Sequence, residues 1–204
     1  MSQLRVMDKL VGAIFPVPID LIQRLFSGGS KVFVKYAPHN STRLCKGNKI
    51  IVHVCNDVGA WGAGFVLAIS KRWEKPEAMY RSLKHLRTGY VLGDVQDVFV
   101  TDEDDKEQII VANMIAQHGI IGERPPLNSN VHSLTWQAIA AVEPPIRYDS
   151  VRKCLTKVNN TAKMMNASIH APRFGTGLAG GTWEEIAKII KETITVDVYI
   201  YDLK

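Results

Sequence analysis

The run Ile50-Ile51-Val52-His53-Val54-Cys55, followed by Asn56-Asp57-Val58-Gly59-Ala60-Trp61-Gly62-Ala63-Gly64, decides the fold. The first six residues are apolar on both alternating faces apart from His53, which is how a central parallel strand reads. The loop after them carries three glycines and leads into helical spacing over Ala63–Trp73. Two further loops follow apolar runs in the same way. Gln117-His118-Gly119 follows Ile109–Ile115, and Arg173-Phe174-Gly175-Thr176-Gly177-Leu178-Ala179-Gly180-Gly181 follows Ser168–Ala171. In an open parallel sheet such loops gather at the carboxyl rim, where ligands bind. Glycines there let backbone amides approach an anion, and a helix N-terminus behind them favours negative charge. The pattern points to a ligand bearing phosphate or diphosphate.

Outward from these loops, strands alternate with helices. Lys31–Lys35, Val95–Thr101, Gln108–Ile115 and Val196–Tyr201 read as strands, with a turn at Pro38-His39-Asn40-Ser41. Pro76 opens a helix toward Leu86, and Ser150–Asn166 carries Val151, Leu155, Val158, Ala162 and Met165 on one face. Thr182 with Glu185 three residues on forms a capping box for a helix through Thr193. The expected fold is α/β, a three-layer α/β/α sandwich with a mixed, mostly parallel central sheet. Residues 1–30 read as an N-terminal extension. In it Pro18 opens a short helix through Phe26 that Gly28-Gly29 stops. Residues 31–204 read as the domain, with an insertion at about 120–147 that contains Pro125-Pro126, Pro144-Pro145 and a short helix around Ser129–Ala141. Such an excursion is either a lid or a peripheral insertion.

A length of 204 residues suits one domain with a sizeable core. The net charge of +5 favours an anionic partner without specifying nucleic acid, because the basic residues are scattered. Cys45, Cys55 and Cys154 form no C-x-x-C pair, which argues against a disulfide framework or structural zinc and fits a reducing compartment. Pro16, Pro18, Asp20 and Arg24 argue against a spanning helix in Leu10–Phe26. No membrane partner is expected, and the location is cytoplasmic, or nuclear in a eukaryote. No internal repeat or low-complexity tract is present.

The run His53–Gly64 resembles the first ligand loop of macro domains. Ala171–Leu178 with Trp183-Glu184 resembles their second loop and the helix after it. Val198–Leu203 is similar to the last strand of the branch that holds ADP-ribose 1''-phosphate phosphatases and terminal ADP-ribose glycohydrolases. The resemblance covers residues 31–204. It implies that Arg173, Phe174, Gly175, Thr176, Gly177, Leu178 and Ala179 wrap a diphosphate and the distal ribose of ADP-ribose. It places Asn56, Gly62, Ala63 and Gly64 near the distal ribose, Phe65 among the ligand-binding residues, and Leu203 near adenine. Glutamate-deconjugating members use a lysine after the strand matching Ile109–Ile115 and an aspartate after Gly-x-Gly-Leu. These positions hold Ala116 or Gln117, and Ala179. No lysine adduct can form there. His53 and Asn56 match the His-x-Cys-Asn pattern of the phosphatase subgroup. After Lys35 stands Tyr36-Ala37-Pro38, without the acid that reads adenine in relatives.

For phosphate-ester hydrolysis, Asn56 can orient a water or a ribose hydroxyl, Asp57 can accept a proton, and His53 and His118 titrate ordinarily near neutrality. Each has a plainer reading: His53 as a core histidine, Asn56 as a turn holder, Asp57 and His118 as solvated loop residues. Trp61 and Phe174 either stack on a ligand or plug the core, and Trp183 reads as packing. Arg173 either binds phosphate or pairs with a carboxylate. No metal or cofactor is required. The expected activity is hydrolysis of an ADP-ribose derivative, most like ADP-ribose 1''-phosphate. Binding of ADP-ribose without turnover, or its removal from protein or nucleic acid, are the alternatives.

Overall fold

The computed structural model describes residues 34–38, 47–102, 105–120 and 144–202. Among them six strands form one sheet in the order β1-β6-β5-β2-β4-β3. The strands are β1 (Val34–Pro38), β2 (Lys49–Asn56), β3 (Val95–Asp102), β4 (Asp105–Gln117), β5 (Ser168–Pro172) and β6 (Val198–Asp202). Only the β3–β4 pair is antiparallel. The expected mixed, mostly parallel sheet is present.

β2 lies between β4 and β5 and is buried along almost its whole length, as its unbroken apolar run requires. Its residues alternate between two cores. Ile50 and Val52 join Val151, Leu155, Ile186 and Ile190 beneath α3 (Tyr148–Met165) and α4 (Trp183–Thr193). Ile51 and Cys55 join Trp61, Ile69 and Tyr80 beneath α1 (Phe65–Arg72) and α2 (Lys75–Ser82). Helices therefore cover both faces of the sheet, completing three layers.

The α3 stripe read from the sequence is the buried face, and Asn166 ends that helix in the left-handed conformation at φ 48°. Thr182 caps α4 by accepting from the Glu185 amide at 3.5 Å. Pro76 sits in the first turn of α2, which tightens into a 3-10 turn at Leu83–His85 before reaching Leu86. Among the described residues β1 runs past its expected end at Lys35 and takes in Pro38, the first residue of the expected turn, and β6 lies between β1 and β5. The expectations for residues 1–30, for Cys45, for the turn beyond Pro38, for Leu203 and for most of the 120–147 insertion fall outside the described residues.

Candidate ligand-binding cleft

A cleft of about 840 Å³ opens at the carboxyl ends of β2, β4, β5 and β6. That size suits a small organic ligand. Gly62, Ala63, Gly64 and Phe65 from the first loop form one wall. Arg173, Phe174, Gly175, Thr176, Gly177, Leu178 and Ala179 form the other. The two walls approach closely: a Cβ on Gly64 would lie 4.0 Å from Leu178 Cδ1. Leu178 is 58% exposed at the rim.

The first wall ends at the open start of α1. Gly64 stands at its N-cap with φ 80°, provides no side-chain cap, and no acid follows in the first turn. The Leu67 amide turns back to Gly64 O at 3.3 Å. Among the described residues the Phe65 and Val66 amides meet no acceptor. Donors and the positive end of the helix dipole thus face the cleft together. The second loop also leads into a helix, but one whose start is closed, as the capping box predicts. Thr182 already caps α4, and Glu184 and Glu185 stand in its first turn. The second loop instead contributes its own turn, closed by Gly181 N to Gly175 O at 2.8 Å and by Gly180 N to Gly177 O at 2.9 Å.

Asn56 lines the cleft, but its side chain is spent on the loop that it heads. Its Oδ1 accepts from the Val58 and Ala60 amides at 3.1 and 2.9 Å and from Tyr80 OH at 3.0 Å. Its Nδ2 donates to Ala60 O at 2.7 Å. This is the turn-holding role rather than an amide presented to a water. His53 lies on the floor, 2% exposed, with Nε2 2.6 Å from Asn113 Oδ1 and Nδ1 3.7 Å from Cys55 Sγ. Burial pulls its pKa down to about 4, against the smaller opposing effects of Asn113 and the Val54 backbone. This corrects the expectation of a histidine that titrates near neutrality. Burial likewise holds the Cys55 thiol far above its usual range, so it stays protonated.

Asp57 and His118 come together, yet outside the cleft lining. Asp57 Oδ2 meets His118 Nδ1 at 2.7 Å, and Oδ1 accepts from the Gly119 amide at 2.8 Å. The pair ties the β2 loop to the β4 loop, helped by Asp57 N to Gln117 O at 2.9 Å. Trp61 and Phe174 are both core residues; Phe174 also lines the cleft. Trp183 packs partly buried under the guanidinium of Arg173, 5.2 Å away.

Sequence reasoning placed the loop of Gln117 at the rim, and Gln117 lines the cleft, but it missed Ile120 and Tyr201. It also missed the residues behind the first loop. Tyr80 OH donates to Asn56 O at 2.7 Å, Trp61 Nε1 donates to Ser70 Oγ at 2.7 Å, and Arg81 Nη2 donates to Trp61 O at 2.9 Å. Among the described residues no cluster of three or more His, Cys, Asp or Glu side chains could hold a metal, and no helix is long and apolar enough to cross a membrane.

Known proteins resemble the chain. A family model described as a domain of unknown function (DUF365) matches residues 10–85. A Bacteroides thetaiotaomicron protein of unknown function is 43% identical with a TM-score of 0.62, and the match covers 78% of this chain and 90% of that one. The mouse chromodomain-helicase-DNA-binding protein 1-like is 28% identical over 158 residues, which are 74% of this chain but only 15% of that protein's length. The ADP-ribose 1''-phosphate phosphatase of Candida albicans is 26% identical over 157 residues, 76% of this chain and 88% of the phosphatase. A macrodomain protein from Streptomyces coelicolor is 39% identical with a TM-score of 0.58, over 78% of this chain and 91% of that one. With the order of the strands and the two facing loops, this likeness makes the chain a member of the macrodomain family.

Proposed function

We propose that the cleft binds ADP-ribose or a close derivative. Its diphosphate lies against the Phe65 and Val66 amides and the Gly175–Gly177 turn. The observation that carries this reading is the uncapped start of α1, set at the end of the central strand and faced by the second loop across the cleft. An anion there completes helix donors that nothing among the described residues satisfies. Arg173 adds the cationic side chain among the described lining residues. Calorimetry with ADP-ribose, ATP and NAD tests the reading. Saturable heat with ADP-ribose, and weaker heat with the other two, is expected; no heat with ADP-ribose rejects it.

Hydrolysis is the second reading, with ADP-ribose 1''-phosphate as the substrate. It is favoured by the Candida albicans phosphatase, most of whose length this chain matches. Ala116, Gln117 and Ala179 leave no lysine or aspartate where an adduct mechanism would need them. A neutral His53 is a poor proton donor at neutral pH, so turnover would rest on water oriented by the loop backbone and on amides facing the departing phosphate. Phosphate release from ADP-ribose 1''-phosphate decides. A rate above the no-protein control that falls in Asn56→Ala supports turnover, and a rate equal to the control leaves binding alone. Release of label from ADP-ribosylated protein or nucleic acid would instead identify a macromolecular substrate. Buried free thiols at Cys55 and Cys154 support a reducing, cytoplasmic or nuclear setting for either activity.

A further inference from the structure

Behind the first loop, a closed ring of hydrogen bonds begins and ends on Trp61. The indole Nε1 donates to Ser70 Oγ at 2.7 Å, and the Ser70 hydroxyl donates to Glu77 Oε2 at 2.6 Å. Glu77 Oε1 accepts from Arg81 Nε at 2.8 Å, and Arg81 Nη2 returns to Trp61 O at 2.9 Å. Glu77 and Arg81 stand four residues apart on α2, and Ser70 lies on α1. None of the three touches the cleft.

The ring has a definite mechanical effect. Asn56 already fixes the loop as far as Ala60. The ring fixes the next residue by both its side chain and its carbonyl. Gly62, Ala63 and Gly64 are then the short remainder between Trp61 and α1, and they are the part that faces the cleft. Glycines released from such an anchor sample many backbone states, and ordering them again costs binding free energy.

We propose that Arg81 is a positioning residue for the ligand: through Glu77 and the Trp61 carbonyl it holds the first loop in its binding-ready form from outside the cleft. The proposal rests on the reading that the cleft binds ADP-ribose. It depends on the guanidinium fork, because Nε and Nη2 both meet Glu77 Oε1 at 2.8 Å and Nη2 reaches Trp61 O as well. A lysine has a single nitrogen without the planar fork, so it cannot keep all of these contacts in this geometry.

The test compares the whole chain with Arg81→Lys and Arg81→Ala by ADP-ribose calorimetry and by hydrogen exchange of residues 57–64 in the free protein. The Arg81 side chain is 52% exposed, so both variants should fold; thermal melts check this. Both should bind ADP-ribose about tenfold more weakly or worse. Exchange should quicken in 57–64 and stay unchanged in β2 and β4. Ser70→Ala, which opens the ring elsewhere, should quicken the same amides. Arg81→Lys binding as tightly as the parent overturns the proposal, since the guanidinium fork would then be dispensable. Equal affinity in all variants also overturns it while leaving the binding reading intact. A parent that fails to bind removes both.

Discussion

His53 and Asn113 are register partners on β2 and β4, and their side chains meet at 2.6 Å. The direction of that bond follows from the rest of the network. Asn113 Nδ2 already donates to Pro76 O and to Gln96 Oε1, each at 3.1 Å. Its Oδ1 is therefore the acceptor and His53 Nε2 carries the proton, which leaves Nδ1 to accept from the Cys55 thiol.

The burial of His53 makes stability depend on acid. The folded protein holds His53 with a pKa of about 4, and the unfolded chain returns it to 6.5. Between these values the unfolded state binds more protons, so stability falls as pH drops from 6.5 toward 4 and is unaffected by this group above 6.5. The loss should reach about 3 kcal/mol. Urea unfolding at pH 7 and pH 4.5 measures it, and His53→Gln should flatten the slope. An NMR titration that finds the His53 ring protonating near pH 6.5 would contradict the buried arrangement.

Asn56→Ala removes four contacts from one loop. Stability should drop by about 2 kcal/mol, mostly from backbone groups left without partners. ADP-ribose affinity should fall as well. Asn56→Asp keeps the acceptor for Val58, Ala60 and Tyr80 but loses the donor to Ala60 O, and should lie between parent and alanine in both measurements.

Gly62 in the first wall and Gly181, just beyond the second, should respond in opposite ways. A Cβ on Gly181 would sit 2.7 Å from Gly175 O, a backbone atom, so Gly181→Ala must displace the second loop. It should cost about 1–3 kcal/mol and weaken ADP-ribose binding. A Cβ on Gly62 meets nothing within 4 Å. Gly62→Ala should leave the melting temperature nearly unchanged, within about 0.5 kcal/mol.

His118→Ala should leave ADP-ribose affinity within about twofold and cost less than about 1 kcal/mol, because the pair with Asp57 is half solvated and lies off the cleft. A loss of phosphate release in this variant, with binding intact, would move His118 into the chemistry.

The legible parts of the chain were those whose signals are local. β2 reads as central because apolar residues fill both of its faces, and α4 announces itself through Thr182 and Glu185. The two cleft walls were legible as glycine loops after strands, and through their likeness to macro domains. What stayed hidden depends on distant partners. Glu77 and Arg81 read on their own as a solvent-facing pair one helical turn apart, and only the fold brings the Trp61 carbonyl to them. The proton affinity of His53 depends on burial among Trp61, Phe65 and Asn113, which no spacing along β2 reveals. The pairing of Asp57 with His118 joins residues 61 positions apart. The Thr182 cap was visible, but its cost to anion binding at α4 emerges only beside the bare end of α1.

That bare end leaves α1 an unfinished helix. A guest carrying oxygen anions would supply the missing cap, so occupancy and folding draw on the same contact. The empty protein is then softer at this corner than its core alone would suggest, and filling it should raise the melting point in step with guest concentration. Gly64 stands at φ 80°, a backbone conformation that a serine would adopt only with strain, and a serine oxygen there would also compete with the visitor for the same amides.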